Sequence, residues 1–313
     1  MRLRRRTSEP PIDPCMGDPT ATRLCDALTR RDWPAARDIL LGADHPDDRA
    51  FYLEICGTAP GVQEWIGPWA VDEPLAQLVR GCHAVGWAWE ARGGYQAKYT
   101  RDEQFRLFFE RLRFAESYLY DVTGRAPDEV AAWAFLVRTA RGLQLPLDDA
   151  EFRFREAVKR HPTNLKAHAE MMQTLCKKWS GSHERMHQFA REAATRSPAG
   201  SMLPYLVALA HLEVTVDLTD AQGSQYMARP DVRTDLRAAA GHSIWHPAAE
   251  FRPGWPLHLN TFALAFSLSG DLPAAASVFE RIGENVTEHP WGYLGGGNEA
   301  KSFAAARKQA LAG

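Results

Sequence analysis

Arg155-Glu156-Ala157-Val158-Lys159-Arg160-His161-Pro162 is answered by Arg191-Glu192-Ala193-Ala194-Thr195-Arg196-Ser197-Pro198. Arg, Glu, Ala, Arg and Pro recur 36 positions on (155 to 191, 162 to 198), and Pro127 stands 35 positions before Pro162. Self-similarity at such a period marks a chain built from repeated supersecondary units. Each proline closes one amphipathic segment and opens another, because it lacks an N–H and fixes φ near the value of a helix's first turn.

Apolar spacing gives the type of unit. Phe105, Phe108, Leu112, Ala115, Leu119 and Val122 alternate steps of three and four, the stripe of a helix of about 20 residues. Trp133, Val137 and Ala140 make another stripe, then Ala150, Phe154 and Ala157. Leu165, His168, Met172 and Leu175 follow, and later Leu203, Leu206, Ala210 and Val214. Such rods hide their stripes only against stacked neighbours. Asp32-Trp33-Pro34-Ala35-Ala36 and Asp271-Leu272-Pro273-Ala274-Ala275 match each other, and each reads as a tight helix–turn–helix with proline in the first turn.

The period lies just above the roughly 34 residues of a tetratricopeptide unit. Ala275 and Phe279, after a helix carrying Phe262 and Phe266, resemble the alanine and phenylalanine of that pattern. The Trp-Leu-Gly-Tyr signature of the unit's first helix is intact in no copy. Lys177-Lys178-Trp179-Ser180-Gly181-Ser182-His183-Glu184, with Met186, Phe189-Ala190-Arg191 and, upstream, Trp89-Glu90-Ala91-Arg92-Gly93, resembles a bacterial family of tetratricopeptide-like proteins that has no settled activity. The resemblance covers residues 75–215. It implies an all-α fold, a right-handed superhelical stack of antiparallel helix pairs (a tetratricopeptide-like α-solenoid). The expected organisation is a disordered basic arm over 1–19, carrying Arg2, Arg4, Arg5 and Arg6, then a single helical-repeat domain over 20–313. Within it come helix pairs over 20–215, a polar connection at 217–229, a helix near 231–240 and an ordered loop at 241–256. A last pair at 257–283, a Gly-rich turn at 291–297 and a capping helix from Glu299 to Leu311 complete the domain.

Composition narrows the partners. The 313 residues are 45% hydrophobic and 24% charged with a net charge of -2, ordinary for a globular protein and giving no electrostatic pull toward nucleic acid or a membrane. Cys15, Cys25, Cys56, Cys82 and Cys176 are widely spaced with no CxxC pair, which argues against a disulfide framework and a thiolate zinc site. Buried thiols in a reducing compartment are expected. No apolar run is long enough to span a bilayer, and Pro10, Pro11 and Pro14 stand where a signal peptide needs an apolar stretch. A cytoplasmic location is expected.

Four features bear on chemistry. His183-Glu184-Arg185-Met186-His187 is a literal HExxH; on a helix its histidines share a face and can hold zinc while the glutamate activates water. Glu213 is the candidate third ligand. Against this, Arg185 sits inside the motif, and the repeat register places His183 on Leu147 and His187 on Glu151, a packing site and a surface site. His242 and His246 flank Trp245, but Pro247 breaks helical geometry there. Trp87, Trp89 and Arg92 end a helix before Gly93-Gly94. The glycines near Gly292 do not form a phosphate loop, and no GxSxG turn occurs. The favoured reading is a non-enzymatic scaffold that binds an unidentified protein or peptide in a mildly basic groove, without a cofactor. The groove would be lined by Trp89, Arg92, Arg138, Arg141, Lys166, Gln173, Lys177 and Trp179. The alternative is a zinc-dependent hydrolase on His183 and His187.

Overall fold

Aspartate, asparagine and proline set the helix starts. The side chains of Asp18, Asp32, Asn164, Asp271 and Asn298 each accept the backbone N–H three residues on, satisfying a donor the helix cannot use. Proline stands in the first turn of many helices, including both with the matched Asp-x-Pro-Ala-Ala starts. The computed structural model describes residues 9–94, 100–179, 181–295 and 297–312. Among them no strand occurs, and the fold is all-α. No helix is long and apolar enough to cross a membrane.

The chain divides into two compact units, Asp18–Ser182 on one side and His183–Gly313 with the residues up to Gly17 on the other. The first contains α1 (Pro19–Thr29), α2 (Trp33–Leu41), α3 (Pro46–Thr58), α4 (Val62–Trp65) and α5 (Pro74–Arg92). It continues with α6 (Asp102–Arg125), α7 (Val130–Gly142), α8 (Leu147–Arg160) and α9 (Leu165–Thr174). From α5 to α9 each helix packs on the next, while α3 touches α5, α7 and α9. The stripe of α6 is buried as its spacing requires, with Phe108, Leu112, Ala115, Leu119 and Val122 inside and Phe105 half-buried. Gly142 brings α7 against α6, since a Cβ there would lie 2.5 Å from Leu112 Cδ1.

The second unit holds α10 (His183–Arg196), α11 (Tyr205–Thr215), α12 (Asp220–Met227), α13 (Pro230–His242), α14 (Trp255–Ser269), α15 (Leu272–Ile282) and α16 (Glu299–Ala310). A 3₁₀ turn, Trp291–Leu294, precedes α16. Buried α11 is covered by α10, α12, α13 and α14. Helices α8 and α10 are both 14 residues long and start 36 apart (147 to 183). They bury matched positions, Ala150 with Met186 and Ala157 with Ala193. The spacing read from the sequence is thus a spacing of helices.

One reading needs correction. Residues 217–229 are not a plain connection but contain α12, started by a capping box in which Thr219 and Gln222 satisfy each other's backbone N–H. Of the expected arm, the four arginines lie outside the described residues. Residues 14–17 form a turn in which the Asp13 carboxylate accepts the N–H groups of Cys15 and Gly17. Among the described residues no disulfide joins the five cysteines, and burial pushes the Cys56 and Cys82 thiols up, which keeps these two protonated.

Candidate functional site

Helix α5 ends at Gly93, whose φ of 73° and N–H to the Trp89 and Glu90 carbonyls close the last turn. Trp89 and Arg92, three apart, therefore share a face at that end. Helix α7 contributes Arg138 and Arg141, again three apart. Helix α9 contributes Lys166, Glu170 and Gln173, and the turn after it Lys177 and Trp179. Trp89, Arg92, Arg138, Arg141 and Trp179 converge, and Glu170 and Lys166 adjoin them. The Trp89 and Trp179 rings meet edge to face at 5.9 Å. The Arg92 guanidinium lies 5.6 Å from the first ring centroid and 5.8 Å from the second. Arg141 lies 5.4 and 5.7 Å from the same rings, and Arg138 5.4 Å from Trp89. Each distance is within the range where a cation is attracted to the π-face of an indole. Trp89 also packs on Phe108 at 5.0 Å, so its far side belongs to the core formed by Ala88, Phe108 and Leu112.

Carboxylates lie among these cations. Arg141 pairs with Glu170 at 2.9 Å and Arg138 with Glu54 at 3.3 Å. Lys166 joins both acids, contacting Glu54 and lying 3.0 Å from Glu170. Burial pushes the Glu170 carboxyl up, but Lys166, Arg141 and Arg138 outweigh it and hold it down at about 2. Burial likewise pulls Arg141 down, and Glu170 only partly restores it; a guanidinium nonetheless stays charged. Three cations, Arg138, Arg141 and Lys166, thus share two carboxylates. Trp89 Nε1 and the Nε atoms of Arg138 and Arg141 are buried with no hydrogen-bond partner among the described residues. Buried donors of this kind call for a partner.

The structure therefore brings together Trp89, Arg92, Arg138, Arg141, Lys166 and Trp179. Gln173 is half-buried and Lys177 exposed on the same segment. Sequence reasoning missed Glu54 and Glu170. Glu170 was within reach, four residues after Lys166 on one helix; Glu54 stands 112 positions before Lys166, and nothing in the sequence links them. Arg111 was missed too; it stacks 3.5 Å over Trp87 and donates to its carbonyl.

The HExxH residues open α10 in the other unit, where they line a cleft of about 640 Å³ with His211, Tyr226 and Arg191. His183 Nε2 faces Asp217 at 3.2 Å. His187 Nε2 faces the Tyr226 hydroxyl at 3.3 Å, and that hydroxyl lies 2.7 Å from His211 Nδ1. Asp235 lies 3.5 Å from His211 Nε2, and the Tyr226 hydroxyl bridges the two imidazoles. Glu213 does not line this cleft; it is buried and accepts the Tyr293 hydroxyl. Two residues from His211 on one helix, it points elsewhere. The residue beside His187 is His211, with ring centroids 4.7 Å apart.

Burial, with His211, lowers His187 to about 4. An NMR titration is expected to show its ring neutral at pH 5.5, whereas an exposed histidine is largely protonated there. Because the folded value is depressed, this group costs stability as pH falls from about 6.5 to about 4, where the unfolded chain takes up the proton first. Of the other histidine pair, His242 Nε2 bonds the Ser197 carbonyl at 3.0 Å while His246 Nδ1 accepts the Ala248 N–H. Trp245 stacks on Phe266. All three have packing roles.

Comparison with family models, with curated proteins and with solved structures gave no match to this chain.

Proposed function

We propose that this chain is a non-enzymatic binding scaffold of the tetratricopeptide-like kind, and that its Asp18–Ser182 unit takes an acidic peptide at the Trp89–Trp179 cluster. The supporting observation is the gathering of three guanidinium groups around one pair of indoles. Guanidinium groups recognise carboxylates through planar, charge-assisted hydrogen bonds. Flat indoles add contact area at little entropic cost. The 36-residue helix spacing and, from α5 to α9, the packing of each helix on the next favour a repeat stack, and such stacks present side chains of successive helices to one partner.

Titrating the full chain with a synthetic Glu- and Asp-rich peptide, followed by calorimetry, tests the proposal. Micromolar binding that weakens in high salt is expected. Arg92→Glu should weaken it at least tenfold, while Arg31→Glu, which alters an exposed pair with Glu64 away from the cluster, should leave it unchanged. Equal binding of the peptide and its Gln/Asn counterpart, or no effect of Arg92→Glu, would refute the reading.

A further inference from the structure

His45, Asp47 and His161 form, among the described residues, the one group of three or more histidine, cysteine or acidic side chains whose ligand atoms gather within 4.8 Å. The group joins two helix ends. His45 caps the start of α3, Asp47 stands in its first turn, and His161 follows the last residue of α8. Asp47 Oδ2 lies 3.8 Å from His161 Nε2 and 4.0 Å from His45 Nδ1, too far for hydrogen bonds. The two imidazoles meet edge to face at 5.3 Å.

The surroundings prepare this carboxylate for a third partner. Asn164, fully buried and itself the cap of α9, donates Nδ2–H to Asp47 Oδ1 at 3.0 Å, and the Leu165 N–H donates to the same oxygen at 2.9 Å. Both donors use one oxygen, fix the carboxylate plane and leave Oδ2 without a hydrogen bond among the described residues. Metal-binding carboxylates are oriented in this way by their outer partners. His161 Nε2 is buried with no hydrogen-bond partner, an orphaned atom that a metal would satisfy.

We propose that His45, Asp47 and His161 bind a divalent transition-metal ion of the zinc type, clipping the start of α3 to the α8–α9 junction. Bonds of about 2.0–2.2 Å at tetrahedral angles put ligand atoms about 3.4 Å apart, so the present separations need only small side-chain rotations. Two imidazole nitrogens and a carboxylate suit zinc or cobalt and not the hard cations, which prefer all-oxygen shells. The side chains keep 29, 11 and 21% exposure, enough for entry and for a water as fourth ligand. Binding displaces one bond, the Asp47 N–H that His45 Nδ1 accepts at 3.2 Å.

Cobalt(II) is the probe, because its visible absorption reports low-coordinate geometry directly. The full chain, cleared with a chelator, is titrated with cobalt and then zinc while its melting temperature is followed. One equivalent should bind, with intense visible bands that zinc abolishes and a rise in melting temperature. His161→Ala and His45→Ser should each weaken cobalt binding at least tenfold. Serine at position 45 keeps a capping oxygen, so circular dichroism of both variants should match the parent. His187→Ala should bind as the parent does. Absence of uptake, unchanged uptake in His45→Ser and His161→Ala, or loss in His187→Ala would each overturn the assignment.

Discussion

Gly86→Ala is expected to destabilise the Asp18–Ser182 unit by about 3 kcal/mol or more, at or above the upper end for overpacked cores. Gly86 sits in α5 where that helix crosses α3, and a Cβ there would lie 1.9 Å from the Gly57 carbonyl oxygen and 2.7 Å from its carbon. Both atoms are backbone, so no rotamer change relieves the clash, and the helices must part. Alanine gains roughly 1 kcal/mol of helix propensity over glycine, which the separation of a buried interface outweighs; Leu53, Cys56, Val79 and Cys82 are all fully buried along these helices. A domain of this size loses about 2–4 °C per kcal/mol, so thermal unfolding should shift by about 6–12 °C or more. Gly57→Ala is the internal comparison. Its Cβ would stand 3.3 Å from the Cys82 carbonyl, a contact that a small shift accommodates, and its cost should be clearly smaller. A melting temperature for Gly86→Ala within 2 °C of the parent would show that the helices do not cross this closely. The variant should also weaken the peptide site, because α3 carries Glu54 to Arg138 and Lys166.

Glu170→Gln should cost about 3–5 kcal/mol, the range for removing one partner of a buried ion pair. Arg141 and Lys166, with side chains 9 and 8% exposed, would keep their charge and lose the carboxylate between them. The same group sets an acid limit. Its pKa is about 2 in the folded chain against an ordinary 4.5. A carboxylate held down in this way contributes stability that is complete above about 4.5 and is lost as pH falls toward about 2. The shift corresponds to about 3 kcal/mol at 1.36 kcal/mol per pH unit. Urea unfolding at pH 7, 4 and 2.5 checks both statements. The parent should lose stability steeply between the lower two values, and Glu170→Gln should start lower and lose less. Parallel curves for the two proteins would remove Glu170 from the balance.

Local rules make the helices legible in the sequence. The stripe in α6 and the matched Asp-x-Pro-Ala-Ala starts of α2 and α15 depend only on residues within a turn or two. The helix at Asp220–Met227 escaped because its residues are polar and its signal is a cap, Thr219 with Gln222, and not a stripe. The candidate site was half legible. Trp89 with Arg92 and Arg138 with Arg141 are three apart on helices, so each pair could be placed on a face from sequence. That the two faces meet, and that Glu54 supplies a countercharge, depends on how α3, α5, α7 and α9 pack. The HExxH motif shows the opposite. Its spacing does set His183 and His187 along one helix, but each turns to its own partner, Asp217 and Tyr226, while Glu213 bonds Tyr293. His45, Asp47 and His161 were invisible for the same reason as Glu54, since more than a hundred residues separate the two histidines.

The binding claim is tested most directly by a double-mutant cycle between Arg92→Gln and replacement, one at a time, of each carboxylate of an acidic peptide by its amide. A direct contact at the Trp89–Trp179 cluster should give one peptide position with a coupling of about 1–3 kcal/mol to Arg92, and near-zero coupling elsewhere. Additivity at every position would mean that the cations around these tryptophans serve the fold alone.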